Sequence, residues 1–477
     1  MPFVACDRSD KDEVSSLAAP KLWDKGYEVD PRIQRFEVGD DLTCDQKLVV
    51  SDAIGSVAHA AGLVKIGLLP VETFQLLRAE LAHIVDLAEQ GEFQMSAEDE
   101  DVHTKIENWL TNTLGEPGKM IHTGRSRNDQ VVVDLRLFTR QAILPVYGAI
   151  LDACEALLDL AQRHATTPMP GYTHMQRAML SSVGVWAGAY VESLLDDLTL
   201  LDAAVALSDQ SPLGSAASYG VGLPLDRQYV SDLLGFAKVQ NNVLYAQHGR
   251  GKFELAIVQA LSQVMLDLSK LAQDILLFTT SEFAFFSVDV SLTTGSSIMP
   301  QKKNLDAMEL LRGKVHVIAA MQQQMLTILG GTPSGFNAEY QDTKRPFMEA
   351  LDLVESSAVV AALNVSQLTP NEEKMLAACS PDLFATDVAY DLVQKGVPFR
   401  DAYRQVANML DDLAEFDVQA VLAMRTHQGT SGDLRLDVSA AAIAERRTQL
   451  AEREAELAAI AAGLLDGSAA DLPGGAD

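Results

Sequence analysis

The chain has 477 residues, 48% of them hydrophobic, with a formal net charge of −29 at pH 7 and four cysteines. That length accommodates two or three packed domains around a large core. The acidic balance argues against nucleic acid or an anionic membrane as a partner, because both demand a basic surface. No apolar run approaches the roughly 20 residues needed to cross a bilayer. The opening stretch MPFVACDRSDKDEVSS lacks the basic, apolar and small-residue segments of a secretory signal, so a cytoplasmic location is expected. Cys6, Cys44, Cys154 and Cys379 have none of the paired spacings of zinc or redox motifs and are expected to be reduced thiols.

Residues 1 to about 20 and 466–477 are polar or small and are expected to be mobile. Between them the rhythm is helical. The first dense polar stretch is His122-Thr-Gly-Arg-Ser-Arg-Asn-Asp129, directly before a long helix expected over 130–164. Its glycine, arginines and asparagine sit where free N–H groups and the helix dipole favour anions. Solvent-facing arginines behind an ordinary N-cap would read the same way. The second stretch, Pro170-Gly-Tyr-Thr-His-Met-Gln-Arg177, reads as a loop entering a helix. Thr173 there can donate to a carboxylate, and His174 is a candidate proton-transfer group or serves a structural role. Val183, Trp186, Ala187, Tyr190, Val191, Leu194, Leu195 and Leu198 then mark a long helix. Leu261, Val264, Met265, Leu268, Leu271, Ala272 and Ile275 mark another between Lys252 and Ser281.

The third stretch is Thr293-Thr-Gly-Ser-Ser-Ile-Met-Pro-Gln-Lys-Lys-Asn304, before a helix holding Glu309. A serine in such a loop can act as a base only if neighbours stabilise its alkoxide, which Lys302 and Asn304 are equipped to do. Further long helices are expected over 304–330 and 344–365, and Ala440 to Leu465 reads as a solvated terminal helix. Strand patterns are scarce, there is no GxGxxG, and Gly115 to Lys119 has the wrong spacing for a phosphate loop. Long helices of this kind pack side by side, so the expected fold class is all-α with a central bundle.

These stretches carry a resemblance. Gly295-Ser-Ser-Ile-Met-Pro-Gln-Lys-Lys-Asn304 resembles the signature of the fumarase/aspartase superfamily. The stretch from His122 to Asp129 resembles the distinctive motif of its argininosuccinate lyase branch. Gly171 to Arg177, Ser211 to Ser215, Leu225 to Arg227, Asp99 to His103, Asp52 to Ser56 and Ser380 to Leu383 match in order, and the likeness runs from about residue 21 to about residue 415. The resemblance implies a three-domain helical subunit, divided at 1–124, 125–374 and 375–477. It further implies a homotetramer with a twenty-helix core and active sites each built from three subunits. The implied reaction is β-elimination of argininosuccinate to arginine and fumarate, with no metal or cofactor.

Carried over residue by residue, Ser296 is the implied base and Lys302 and Asn304 stabilise it and the developing charge. His174 with its partner Glu309 completes the catalytic set. Ser56, His103, Arg127, Asn128, Thr173, Gln341 and Lys344 are the implied substrate-binding residues. The chain departs from the branch pattern in four places. Trp23-Asp-Lys-Gly-Tyr27 replaces Trp-Gly-Gly-Arg-Phe, Phe336 stands for a tyrosine near the substrate, Leu305 stands for a proline, and the sequence beyond Glu415 matches poorly. Those departures keep a sister lyase acting on another N-substituted aspartate, such as ethylenediamine-disuccinate, as an alternative. A non-catalytic crystallin-like member is the remote one.

Overall fold

The computed structural model describes residues 30–474 apart from residues 40, 97 and 98. The Trp23–Tyr27 departure, Cys6 and the first 20 residues lie outside the described part. The N-terminal region holds α1 (Pro31–Val38), α2 (Asp41–Gln46), α3 (Val49–Lys65), α4 (Val71–Glu89), α5 (Val102–Leu114) and the single turn α6 (Glu116–Lys119). The long helix α7 (Arg127–Arg163) has 37 residues, about 55 Å at 1.5 Å per residue. Ser126 and Asp129 close a capping box at its start, each side chain bonding the other's backbone N–H.

The stretch read as a loop entering a helix is instead a two-stranded hairpin, β1 (Pro168–Thr173) paired antiparallel with β2 (Gln176–Ser182). Its turn is His174-Met175, both at positive φ, 53° and 61°. Such a turn matches the twist of the paired strands. Long-range strand pairing decided the conformation here, and a helical reading of the flanks could not register it. Ser182 then caps α8 (Val183–Ser208).

The short helices α9 (Arg227–Leu233) and α10 (Val243–His248) precede α11 (Lys252–Phe278). After β3 (Phe286–Ser287) come α12 (Asp306–Leu329), α13 (Lys344–Ser366) and β4 (Thr369–Pro370), which pairs with β3. Helices α7, α8, α11, α12 and α13 pack against one another as the central bundle. Helix α11 is long and apolar enough by length and composition to cross a bilayer, which the residue-by-residue reading had not anticipated. Its apolar face is spent on the bundle, with Ile257, Leu261, Val264, Met265, Leu268, Ala272 and Ile275 buried.

The remaining helices are α14 (Glu372–Ala377), α15 (Ala385–Gln394), α16 (Phe399–Ala407), α17 (Val418–Met424) and α18 (Leu436–Asp466). Residues 380–425 pack in two small clusters, one around Phe384 and Leu422 that also takes in Leu180 of β2, and one around Ala389 with Ala402 and Val406. The last helix does not stand free in solvent. It lies along α7 and touches α3, α4 and α8, burying Ile443, Leu457 and Leu464. The segment after it, expected to be mobile, also folds back. Leu472 is buried, and the Tyr229 hydroxyl donates to the Asp471 carbonyl at 2.6 Å.

Two glycines test the packing in opposite directions. A Cβ at Gly62 in α3 would meet Val230 Cγ2 at 2.7 Å, whereas at Gly148 in α7 the nearest atom is Leu450 Cδ2 at 4.0 Å. Gly62→Ala is expected to cost about 1–3 kcal/mol through overpacking. Gly148→Ala is expected to add about 0.5–1 kcal/mol through helix propensity. Calorimetric melting temperatures should shift in opposite directions.

Candidate active site

The N-terminal ends of α7 and α13 and the segment entering α11 meet at one end of the bundle, around a cavity of about 230 Å³. His103, Arg127, Asn128, Gln341 and Lys344 all line it. Five of the residues expected to bind substrate are thus brought together from four separate elements. Arg127 and Asn128 are the first two residues of α7, where unpaired N–H groups and the dipole favour an anion. Arg127 pairs with Glu100 at 2.9 Å and Asp101 at 2.7 Å. Burial opposes its charge, but these two acids outweigh it and its pKa rises.

Lys344 opens α13, and its Nζ lies 2.9 Å from Asp41 and 2.7 Å from Asp45. Burial again opposes the charge, and the two carboxylates hold the ammonium in its charged form, raising its pKa. Gln341 donates its amide to Asp41. Burial pushes Asp41 above the usual carboxylate range despite Lys344.

His103 is buried, with Nδ1 bonded to Asp52 and 3.5 Å from Asp134. Burial alone would lower its pKa; Asp52 beside it prevails and raises it. Asp52 is held low by His103 and Arg125 against the cost of burial. Asp134 is pushed well above the normal range by burial and by Asp52. Asp52, His103 and Asp134 bring three metal-type donor atoms within 4.8 Å, and in this structure His103 faces both carboxylates. Ser56 stands behind the cavity wall rather than on it. It is fully buried, donates to Asp52 Oδ1 at 3.0 Å and accepts from Arg125 Nη1 at 2.8 Å, so its hydroxyl is committed to packing the acid.

The implied catalytic residues are elsewhere in the subunit. Tyr172, two residues before the hairpin turn, packs 6.3 Å from Phe278, the last residue of α11. Arg250, on the cavity wall, precedes the first residue of that helix. Thr173 and His174 therefore lie about 40 Å from the cavity, the length of α11. Helix α12 runs back along α11: Ser269 Oγ donates to the Arg312 carbonyl, and a Cβ on Gly251 would meet Leu329. Ser296, Lys302, Asn304 and Glu309, at the start of α12 or just before it, belong to the far end as well. There the Thr294–Asn304 bridge closes the Ser296 loop, and the Ser296 hydroxyl accepts from Met299 N at 3.2 Å. Among the described residues no ion pair joins His174 to Glu309.

Sequence reasoning missed Arg250, Asp41 and Asp45 on the cavity wall. The signal available was the density of charge in Asp40-Asp41 and in His248-Gly-Arg-Gly-Lys252, although nothing local ties those segments together.

The His103 pair predicts a pH dependence. A histidine whose folded pKa is raised stabilises the fold fully below its unfolded pKa of about 6.5 and progressively less as pH rises through the folded value. His103→Asn should therefore lower the melting temperature most near pH 6, with the deficit against the unmodified protein narrowing toward pH 9. A deficit that stays constant over that range would show that the imidazolium charge is not what stabilises.

The Lyase family model matches residues 27–319, and the argininosuccinate lyase C-terminal model matches 382–426. The second match carries the likeness past Glu415, where the sequence matches the branch pattern poorly, as far as residue 426. Argininosuccinate lyase of Sorangium cellulosum is 43% identical over 417 residues, covering 87% of this chain and 97% of that protein. The enzyme of Parabacteroides distasonis is 42% identical, covering 87% and 93%. Among solved structures, EDDS lyase in complex with formate superposes with a TM-score of 0.78 at 25% identity, covering 91% of this chain and 94% of that one. With both models matched and this identity sustained over nearly the whole length of those relatives, the chain belongs to the argininosuccinate lyase family of the fumarase/aspartase superfamily.

Proposed function

We propose that this protein is a carbon–nitrogen lyase that cleaves argininosuccinate to arginine and fumarate, as a homotetramer with sites shared between subunits. The observation that carries the reading is the convergence of His103, Arg127, Asn128, Gln341 and Lys344 on one cavity, in a chain of this family. The cavity supplies cations, an amide and a helix N-terminus for an anionic substrate, inside a strongly acidic shell.

The chemistry asks for more than this cavity holds. A proton on the carbon beside a carboxylate is weakly acidic, and its removal creates a dianionic aci-carboxylate. Ser296 takes that proton in this reading. Lys302 and Asn304 stabilise the alkoxide beforehand and the dianion afterwards, each such donor contributing several kcal/mol at a protected site. The carbon–nitrogen bond then breaks, its electron pair leaves with the guanidine nitrogen, and the departing group takes up a proton. His174 and Glu309 complete the implied catalytic set. Within one subunit these groups stand at the far end of the bundle, so neighbouring subunits have to deliver them. Exposed Leu310, Val317 and Leu326 on α12, with Val359 and Leu363 on α13 and Leu266 on α11, support such assembly.

The sister activity rests on one specific observation, Phe336 on the cavity wall, which offers no hydroxyl to the substrate. Fumarate release, followed by ultraviolet absorbance with argininosuccinate and ethylenediamine-disuccinate as separate substrates, decides between the two. Ser296→Ala should lower kcat by about 10²–10⁴-fold while the oligomer stays intact; substantial retained turnover would remove Ser296 from the base role. Subunit exchange between Ser296→Ala and His174→Asn proteins should restore part of the activity. No recovery after demonstrated exchange would sink the shared site.

A further inference from the structure

Three arginines are almost wholly buried in the subunit: Arg136, Arg140 and Arg250, at 1%, 3% and 2% exposure. The terminal nitrogens of the first two are met by oxygens, although among the described residues the Nε of each has no partner. Arg136 donates to the carbonyls of Ser208 and Gln210 and to Gln240 Oε1. Arg140 donates to the carbonyls of Leu234 and Gly235. Arg250 differs. Among the described residues no oxygen accepts a hydrogen bond from its side chain, and its Nε and Nη2 are buried without partners. The centre of the Phe336 ring lies 5.4 Å from its guanidinium carbon.

A guanidinium withdrawn from water without acceptors is unfavourable, and an anion arriving beside it removes the penalty. Arg250 lines the cavity described above, so an anionic ligand group can reach its neighbourhood. The other strong cations there are already engaged, Lys344 by Asp41 and Asp45 and Arg127 by Glu100 and Asp101. Asp41, Asp45 and Glu254 act on Arg250 only through space, and burial depresses its pKa. Phe336 contributes no side-chain donor on that wall, and its own backbone N–H is spent on Ser218 Oγ.

We propose that Arg250 is a specificity-determining residue that binds the carboxylate at the far end of the leaving-group arm, the α-carboxylate of the arginine half. This rests on the functional reading above; to it we add that the succinate carboxylates fall to the N-terminal end of α7 and to groups delivered by other subunits. The α-carboxylate is the anionic group left over, and Arg250 is the cation left over. Substrates whose arm ends without a carboxylate leave the guanidinium unpaired and are rejected.

The test is calorimetric titration of the intact protein with L-arginine, with agmatine (arginine without its carboxylate) and with fumarate. The unmodified protein should prefer L-arginine to agmatine by about 10–100-fold, the range for one charge-assisted hydrogen bond. Arg250→Gln should erase that preference, Arg250→Lys should retain part of it, and the response to fumarate should change less than about two-fold. Absence of any preference in the unmodified protein overturns the proposal. So does an Arg250→Gln variant that weakens all three ligands together, because that marks a purely structural arginine. Should Arg250→Gln fail to fold, the preference of the unmodified protein and its reduction in Arg250→Lys decide. Turnover of argininosuccinate is read separately. A protein that shows the Arg250-dependent preference but releases no fumarate keeps this inference and loses the functional reading.

Discussion

Lys344 is buried between Asp41 and Asp45, and the cavity end of the subunit is organised around that trio. A buried ammonium is tolerated only when carboxylates meet it directly, and a buried carboxylate only when cations or N–H groups do the same. The trio therefore fixes α2 against the start of α13, although the two are about 300 residues apart in the chain. It also recruits Gln341, whose amide completes Asp41. What the trio does not do is neutralise Arg250, which stays beside it without a direct acceptor among the described residues. A buried cation left uncommitted by the described residues favours an anionic ligand beside it.

The same logic runs through the neighbouring cluster. Asp52, His103 and Asp134 are three buried titratable groups, and their pKa values are pushed in different directions by one another. Ser56 and Arg125 tie that cluster to the segment leading into α7, so that Arg127 and Asn128 are presented at a fixed height on the cavity wall. Asp129 anchors the start of the same helix by accepting from the backbone of Ser126, Gly214 and Ala216. Binding groups placed on helix ends and held by buried partners lose little entropy when a ligand arrives.

The far end of the bundle is built on the opposite plan. The Ser296 loop and the hairpin tip at His174 are exposed, few side chains pin them, and Ile298 and Met175 project large apolar surface into solvent. Groups so presented are suited to completing a site on another copy of the chain rather than one on their own. The cavity wall itself carries Glu37, Asp41, Asp45, Glu100 and Asp101 beside Arg127, Arg250 and Lys344, so its capacity for an anion rests on which cations lack a direct partner and not on its net charge.

The sequence by itself determined the helices, since three- and four-residue spacing is a local property that packing then used. The bounds expected for the helices at 130–164, 304–330 and 344–365 fall within a few residues of the structure. It also determined which stretches carry polar chemistry, because polar residues interrupting such a rhythm have no packing reason to be there. Tertiary structure decided everything that depends on partners distant in the chain. The hairpin at 168–182 arises from strand pairing, and the docking of α18 from a face of scattered apolar residues whose periodicity is too weak to read. The pairing of Lys344 with Asp41 and Asp45, and the isolation of Arg250, follow from which helix ends meet. Burial, rather than residue identity, sets the worth of a charge, and no sequence window of local length carries that information.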